Sequence, residues 1–173
     1  CPHNLAPTTS TTSFLVVGDA LAISLLEARN FSPEDFAKSH PAGSLGKKLT
    51  TLVSDLAIKG KKVPIVQKNT LISEAIIEIS SKKLGVTLVQ DEKKIIGIFT
   101  DGDLRRFLNE NTQLDKVKIN DVMTKRYVSV DSKALATEAA KLMEQNKIFT
   151  LIVKNNEGPS VITMHDLLEA GII

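Results

Sequence analysis

The chain has 173 residues, of which 42% are hydrophobic and 24% are charged, and its formal net charge is +2. These values are typical of a soluble globular protein with one domain, or one domain and an appendage. The small net charge and an aromatic content of 4% without tryptophan argue against a nucleic-acid partner. We find no apolar run of the length that spans a bilayer, and we expect no membrane partner. One cysteine and three well-separated histidines predict neither a disulfide nor a metal site, so a reducing cytoplasm is the expected location.

The first 49 residues predict helices and differ in pattern from the rest of the chain. Residues 8–13 are all Ser or Thr, and they precede the apolar stretch 14–26. We expect the hydroxyl groups to cap the first turn of a helix that ends near Asn30. Because this helix is apolar on almost every side, it needs cover from partner chains or from a further domain.

A second, shorter helix and a linker are predicted next. Ser32 and Pro33 are typical of a helix N-terminus. The helix should end near His40, because the residue before a proline is disfavoured in the helical conformation. Residues 42–48 contain two glycines and predict a linker. Since the chain begins at Cys1 rather than at a methionine, we expect it to be a fragment of a longer protein.

The remaining residues contain one pattern twice, about 63 positions apart. Each copy is a short apolar strand followed by Thr-x-x-Asp-Leu, which begins at Thr100 in the first copy and at Thr163 in the second. A repeat of this period indicates one supersecondary unit used twice. We assign the units to residues 51–110 and 118–173, each with the order β-α-β-β-α. The predicted fold class is therefore α/β, with a pseudo-two-fold relation between the two units.

Apolar periodicity and turn residues give each unit its predicted elements. The first unit is predicted to contain an extended segment at 63–66, a helix at 71–83, strands at 86–90 and 94–99, and a helix at 101–109. The second unit is predicted to contain a helix at 135–145, strands at 149–154 and 160–163, and a helix at 164–170. The corresponding hairpin turns are residues 91–93 and 155–159.

The two units resemble a CBS-domain pair, whose characteristic positions are held here by Thr100 and Asp103 and by Thr163 and Asp166. The segments before them are similar to the end of a sugar-isomerase (SIS) domain at residues 1–12, 18–22 and 39–46. Together with residues 99–106 and 164–168, these segments resemble the D-arabinose-5-phosphate isomerase family of the KdsD/KpsF type. The resemblance implies a truncated SIS domain at residues 1–49, followed by CBS repeats at 51–110 and 118–173.

The resemblance also implies a function for the parent protein. That family interconverts D-ribulose 5-phosphate and D-arabinose 5-phosphate without a redox cofactor, for the synthesis of Kdo, a sugar of lipopolysaccharide or capsule. The resemblance places the main phosphate-binding loop in the part of the SIS domain that precedes Cys1, so we expect this chain alone to be inactive. The CBS pair would be a regulatory region that helps to form a homo-oligomer, a dimer or a tetramer.

His40 lies in a Ser-His-Pro segment of the SIS-like region, and the resemblance makes it a candidate catalytic acid or base. Histidine suits the proton transfers of an aldose–ketose isomerisation because it titrates near pH 7. The alternative is that His40 only ends a helix, where the helix dipole favours positive charge. His3 is a further candidate for the same cleft, with packing beside Pro2 as its alternative role.

A Thr-x-x-Asp motif after a strand is suited to binding a nucleotide. The threonine hydroxyl and the amides of the helix N-terminus can contact a phosphate, and the aspartate can accept hydrogen bonds from ribose. By analogy with CBS domains, the candidate ligand residues are Thr100, Asp103, Arg105, Arg106, Thr163, His165 and Asp166, with Ile65, Val86, Val128 and Thr150 as candidate apolar walls. The expected effector is an adenine nucleotide or CMP-Kdo, and a sugar phosphate is a further candidate ligand. No cofactor is expected to be required.

Two alternatives to this interpretation stay open. The threonines and aspartates can simply cap their helices, in which case the CBS pair is only an assembly element. The chain can also be a free-standing nucleotide-sensing module that acts through partners. One position distinguishes the units: Ser160 stands where the first unit has Gly97, so we expect the second strand–turn to approach a ligand less closely.

Overall fold

The computed structural model of the chain describes residues 1–39, 43–110 and 113–173. It divides into two compact units, Cys1–Leu49 and Thr50–Ile173. The two predicted β-α-β-β-α copies both lie in the second of these units and are called repeats from here on. The described part of the first unit is helical. It begins with a 3-10 turn at Pro2–Asn4, followed by α1 (Thr8–Ala28), α2 (Pro33–Ser39) and α3 (Ser44–Thr50).

Helix α1 starts within the run of hydroxyl residues, and the capping role predicted for that run is wrong. The N-cap residue is Pro7, which makes no side-chain capping hydrogen bond. The hydroxyls of Thr11 and Thr12 instead donate to the carbonyl oxygen of Thr8, at 3.0 and 2.9 Å, inside the helix. Ser and Thr can satisfy their hydroxyls against the preceding turn in this way. The run therefore lengthens the helix, which ends before Asn30, where φ is 49°.

No residue of α1 is buried, and Phe14, for example, is 78% exposed. By length and composition this 21-residue helix is able to cross a membrane, with a mean hydropathy of 1.4. A search for apolar runs misses it because residues 8–13 carry hydroxyl groups. The core helix of a soluble protein and a signal sequence meet the same criterion. The firm observation is an apolar helix surface that the described residues leave uncovered.

Helix α2 begins at Ser32 and Pro33 as predicted. The Ser32 hydroxyl accepts a hydrogen bond from the Asp35 amide at 3.1 Å, and the Asp35 carboxylate accepts one from the Ser32 amide at 3.2 Å. This reciprocal cap satisfies amides of the first turn. Lys38 also donates to the carboxylate at 3.0 Å, and this contact, with those of Ser32, lowers the pKa of Asp35.

Residues 44–50 form helix α3, so the linker predicted for residues 42–48 is wrong over its described part from residue 44. Lys47 and Lys48 lie in the last turn, where the helix dipole favours positive charge. Gly46 is buried within the helix. A glycine at a close packing position and a glycine in a flexible linker look alike in the sequence, which accounts for the error.

The second unit contains both repeats, and their elements follow the predicted order. The first repeat consists of α4 (Val53–Leu56), β1 (Ile58–Lys59), a 3-10 turn at Gly60–Lys62, β2 (Ile65–Gln67), α5 (Ile72–Lys82), β3 (Val86–Asp91), β4 (Lys94–Thr100) and α6 (Asp101–Glu110). The second consists of α7 (Ile119–Val122), β5 (Ser129–Asp131), α8 (Ala136–Asn146), β6 (Thr150–Lys154), β7 (Ser160–Thr163) and α9 (Met164–Glu169). The elements predicted with bounds are confirmed to within two residues at their ends, and β5 is the leading strand that the predicted order requires in the second repeat. Elements α4, α7 and β1 were not predicted.

Each repeat contributes most of one sheet. Strands β2, β3 and β4 form a sheet in that order, with β2 parallel and β4 antiparallel to β3. The other sheet has the order β1-β7-β6-β5, so β1 pairs with the last strand of the second repeat, with Ile58 opposite Val161. The corresponding residue of the second repeat, Thr124, pairs with Ile98 of β4. The leading segment of each repeat thus completes the sheet of the other.

The same exchange is present in the hydrophobic cores. Val53 of α4 lies in the core of the second repeat, with Leu151 among its members. Ile119 of α7 lies in the core of the first repeat, with Phe99. A third cluster joins the repeats and contains Val63, Leu88, Ile152 and Val161. Because each core includes a residue from the other repeat, the two repeats form one folding unit.

Gly97 has a packing role at this exchange. A Cβ atom at this position would lie 2.6 Å from Sδ of Met123 and 3.0 Å from the carbonyl oxygen of Thr124. In the sheet of the second repeat, Ala57 of the exchanged segment stands at the position of Met123, and the buried Ser160 stands at the position of Gly97. The sequence difference therefore follows the size of the residue in the exchanged segment.

Candidate functional site

The first Thr-x-x-Asp motif lies where β4 ends and α6 begins. The amide and the hydroxyl of Thr100 both donate to Oδ2 of Asp103, at 2.9 and 2.7 Å, and the Asp103 amide donates to the Thr100 hydroxyl at 3.2 Å. This is a reciprocal helix cap. The other carboxylate oxygen, Oδ1, accepts hydrogen bonds from the Arg106 guanidinium and from the Thr124 hydroxyl, the latter at 3.1 Å. Asp103 is only 8% exposed, and both of its oxygens are occupied.

The second motif, between β7 and α9, has the same cap. The amide and the hydroxyl of Thr163 donate to Oδ2 of Asp166 at 2.8 and 2.6 Å, and the Asp166 amide donates to the Thr163 hydroxyl at 3.3 Å. Oδ1 of Asp166 accepts no hydrogen bond from the part of the chain that the structure describes. Asp166 is also less buried than Asp103. One of its carboxylate oxygens is therefore available to a ligand.

The internal repeat explains why the two aspartates differ. Ile58 and Thr124 are equivalent residues, each paired with the last strand of the other repeat. Thr124 has a hydroxyl that reaches Asp103. Ile58 has none, so the equivalent bond to Asp166 cannot form. Two motifs that look alike in the sequence therefore differ in their free hydrogen-bonding capacity.

A cleft of 480 Å³ lies beside Asp166, a volume within the range of small-molecule sites. Its lining residues are Ile58, Lys61, Lys62, Ser81, Lys82, Leu84 and Asp166. Ile58 and Leu84 provide apolar surface, and the Lys82 ammonium donates to the carbonyl oxygen of Lys61 at 2.5 Å. Three lysines face one carboxylate, so the cleft favours an anion that also carries hydroxyl donors.

Sequence reasoning identified Asp166 but missed the rest of this cleft. Among the predicted apolar walls, Val86 is buried in the interior and Ile65 lines a separate cleft of 430 Å³. The sequence feature that could have indicated the rest of the cleft is two pairs of lysines, at residues 61–62 and 82–83. Such pairs usually mark a solvated surface in a sequence, and only the folded chain brings them close to the second motif.

The other candidates of the CBS pair lie outside the Asp166 cleft. Arg105 is exposed on α6, and Arg106 is held on the Asp103 carboxylate. Nε2 of His165 lies 3.0 Å from Oε1 of Glu169, one turn along α9. The structure thus brings Arg106 to Asp103 of the first motif, whereas His165 contacts Glu169 of the same helix.

Of the two histidine candidates before the CBS pair, the structure describes His3. His3 is exposed, with φ at 65°. His40 lies outside the described residues, as do Pro41 and Ala42. Within residues 1–39, 43–110 and 113–173, no group of three or more His, Cys, Asp or Glu side chains is placed to hold a metal ion.

The two halves of the second unit each match one known type of domain. The sequence model of the CBS domain matches residues 53–110 and 119–172. This chain belongs to the CBS-domain family. The matched ranges include both Thr-x-x-Asp motifs and the exchanged helices α4 and α7, so the exchange of leading segments takes place within a pair of CBS domains.

Curated relatives match the whole chain, including the helices before the CBS domains. It is 47% identical over 175 residues to the arabinose 5-phosphate isomerase KdsD of Yersinia pestis and 50% identical over 176 residues to that of Pseudomonas aeruginosa. These alignments cover 100% of this chain but 53% and 54% of the relatives. The chain is thus a homologue of these isomerases and spans about half the length of the curated relatives it matches.

Solved structures share the fold of the CBS pair. A CBS-domain containing protein from Agrobacterium tumefaciens has a TM-score of 0.62 and 25% identity, over 69% of this chain and 92% of its own. A CBS domain protein from Pyrobaculum aerophilum, complexed with AMP, has a TM-score of 0.59 and 20% identity, over 67% of this chain and 89% of its own. These similarities establish the α/β fold of the paired repeats.

Proposed function

We propose that this chain is the C-terminal regulatory region of an arabinose-5-phosphate isomerase, and that its CBS pair binds a nucleotide or nucleotide-sugar effector at Asp166. The observation that carries the binding proposal is the free Oδ1 of Asp166 beside a cleft that also contains three lysines and two apolar residues. The homology to isomerases over the full chain supports the parent activity.

Each group that lines the cleft has a place in nucleotide binding. The free carboxylate oxygen of Asp166 would accept hydrogen bonds from ribose hydroxyls. Lys61, Lys62 and Lys82 would neutralise the phosphates, which lysine binds as a point charge. Ile58 and Leu84 would contact the base. Thr163 would act indirectly, since its hydroxyl holds the carboxylate in position.

The first motif is proposed as a weaker, secondary site. Asp103 would have to give up its bonds to Thr124 and Arg106 before it could accept ribose hydroxyls. Breaking a charge-assisted hydrogen bond in a buried position opposes binding by about 1.5–3 kcal/mol. Thr100, Arg105 and Arg106 therefore stay predictions for a site that opens only at higher ligand concentration.

We further propose that residues 1–49 are the end of a SIS domain and residues 51–110 and 118–173 the two CBS repeats. The exposed apolar surface of α1 supports cover by the remainder of that domain or by another copy of the chain in a homo-oligomer. His40 would serve the isomerisation as acid or base, in a cytoplasmic enzyme of Kdo synthesis. The purified 173-residue chain should then give no turnover of ribulose 5-phosphate, and detected turnover would contradict this assignment.

The binding proposal is tested by thermal unfolding of the chain with AMP, ATP, CMP or CMP-Kdo. AMP comes first because proteins of the same fold have been solved with it. A ligand that binds only the folded state at a hundred times its Kd raises stability by about 2.7 kcal/mol. The shift should disappear in Asp166→Asn and persist in Asp103→Asn, which makes the same change to the cap of the other repeat. A shift that survives Asp166→Asn would overturn the assignment of the cleft.

A second candidate function is assembly without a ligand. It is favoured by the caps themselves, because Thr and Asp already have a structural use in both motifs. This candidate predicts that none of the four nucleotides shifts the melting temperature, while the mass of the chain in solution depends on concentration. Sedimentation equilibrium measures that mass and separates the two candidates.

A further inference from the structure

A third cleft, of 560 Å³, lies at the opposite end of the strands from the Thr-x-x-Asp motifs. Along β3 and β4, Val86 pairs with Thr100 at the motif end, whereas Asp91 pairs with Lys94 at the hairpin end. The third cleft is lined by residues of the hairpin end, and it shares none of its described lining residues with the Asp166 cleft. It is therefore a separate place on the CBS pair.

The floor of this hairpin-end cleft is apolar and its rim is basic. Ile95 and Ile152, which line it, pack in the cluster that joins the two repeats. The basic rim residues are Lys93, Lys133 and Lys154. All three lysines are exposed, and none forms an ion pair within the described ranges of the chain. Three uncompensated ammonium groups around an apolar floor suit an organic anion.

Nearby carboxylates leave this positive charge largely intact. Asp131 is the acidic residue among the described residues that line the cleft, and its Oδ1 accepts the Lys133 amide at 2.8 Å. Glu157 lies 3.2 Å from Lys59, and Asp91 lies 2.7 Å from Lys68. Three lysines and one aspartate give the described lining a net charge of +2.

The first repeat has a different charge arrangement at the equivalent place. Lys68 and Ser132 are equivalent, because each donates its amide to a carbonyl of the neighbouring strand, at 2.9 and 3.1 Å. In the first repeat Lys68 forms its ion pair with Asp91. In the second repeat the corresponding residues are Ser132 and Asn155, and Asn155 bonds to Ser160 instead. The ion pair that compensates Lys68 in the first repeat thus has no counterpart at Ser132 and Asn155.

We propose that the hairpin-end cleft binds a small organic phosphate monoester, such as a sugar phosphate. A phosphate monoester carries about −1.5 to −2 charges near pH 7, which complements the net charge of the lining. A ligand with one carboxylate in place of the phosphate would neutralise only half of the net charge of the lining. The carbon skeleton would lie on Ile95 and Ile152, and Lys93 would contact the phosphate from the first repeat while Lys133 and Lys154 contact it from the second. The occupant would therefore touch both CBS repeats.

The test is an amide NMR titration of the 173-residue chain with ribose 5-phosphate, with ribose as the uncharged control. We expect the phosphate to shift the amides of residues 131–133 and 154–158, and ribose to leave them unchanged. The triple variant K93Q/K133Q/K154Q should weaken binding by about tenfold, since exposed ion pairs are individually weak and three of them are lost together. The control K94Q/K125Q/K141Q removes the same charge from exposed lysines that do not line the cleft, and it should bind normally.

Three outcomes would overturn the proposal. The first is the absence of shifts at these amides with ribose 5-phosphate. The second is an equal loss of affinity in both triple variants, which would indicate non-specific attraction by net charge. The third is a loss of binding in Asp166→Ala, because the phosphate would then occupy the nucleotide cleft. Retained binding in that variant supports a separate site, whether or not the chain binds nucleotides.

Discussion

At the scale of single residues, Thr87 is an internal weakness of the fold. Its side chain is fully buried on β3, and its Oγ1 has no hydrogen-bond partner among the described residues. The second repeat has the buried Leu151 at the equivalent position. Because a buried polar group without a partner costs roughly 1–3 kcal/mol, Thr87→Val should raise the free energy of unfolding by about 1 kcal/mol. Urea denaturation at equilibrium measures this change.

Thr124→Val is the matched control, because it makes the same chemical change where the hydroxyl is used. The Thr124 hydroxyl donates to Oδ1 of the buried Asp103 at 3.1 Å. Its loss should lower the free energy of unfolding by about 1–2 kcal/mol. If Thr87→Val and Thr124→Val change stability in the same direction, the hydrogen-bonding account of Thr87 is wrong.

The packing of Gly97 against Met123 gives a second prediction at this scale. The Cβ of Gly97→Ala would lie 2.6 Å from Sδ of Met123, so overpacking should destabilise the chain by about 1–3 kcal/mol. Met123→Ala in the same chain should recover part of this loss, because it recreates the small residue found at Ala57. The four proteins of this double-mutant cycle are compared by denaturation, and additive changes would contradict the proposed contact.

At the scale of elements, the exchange of α4 and α7 makes each repeat dependent on the other. Ile119 is fully buried in the core of the first repeat. Ile119→Ala should cost about 2–5 kcal/mol, whereas Ile77→Ala, at a side chain that is 70% exposed, should cost less than about 0.5 kcal/mol. A peptide of residues 51–110 lacks Ile119 and should show no cooperative unfolding. A cooperative transition of this peptide in circular dichroism would show that the exchange is dispensable.

The elements also show how far sequence reasoning reaches. Helices α5 and α8 and the hairpins β3–β4 and β6–β7 are predictable because their apolar spacing and turns are local signals. Strand β1 is only two residues long, and Ile58 in it pairs with Val161, which lies far along the chain. No local pattern specifies such a pairing. The same limit applies to the cleft, since Asp166 was predictable from its motif but Lys82 was not.

At the scale of the whole molecule, the two repeats share the order of their main helices and strands but differ in chemistry. The two motifs share their caps, but Thr124 and Arg106 occupy Asp103 while Asp166 keeps a free oxygen. The hairpin ends differ as well, with the ion pair of Lys68 in one repeat and a basic cleft in the other. Two repeats with identical residues would have two equal sites. The residues that differ between them make the repeats unequal at both ends.

This asymmetry predicts the stoichiometry of nucleotide binding. If Asp166 is the ribose ligand, calorimetric titration with AMP should give one high-affinity site per chain, because the bonds of Asp103 compete with ribose. Removing those bonds in the double variant Thr124→Ile, Arg106→Ala frees Oδ1 of Asp103, which is the state of Oδ1 in Asp166, since Ile58 is the equivalent of Thr124. The variant should bind a second nucleotide. Asp166→Asn in the same background should then leave one site, at Asp103.

Two outcomes would contradict this account of the asymmetry. Two equal sites in the unaltered chain would show that the bonds of Asp103 do not restrict binding. An unchanged single site in the double variant would show that something other than Thr124 and Arg106 prevents nucleotide binding at the first motif.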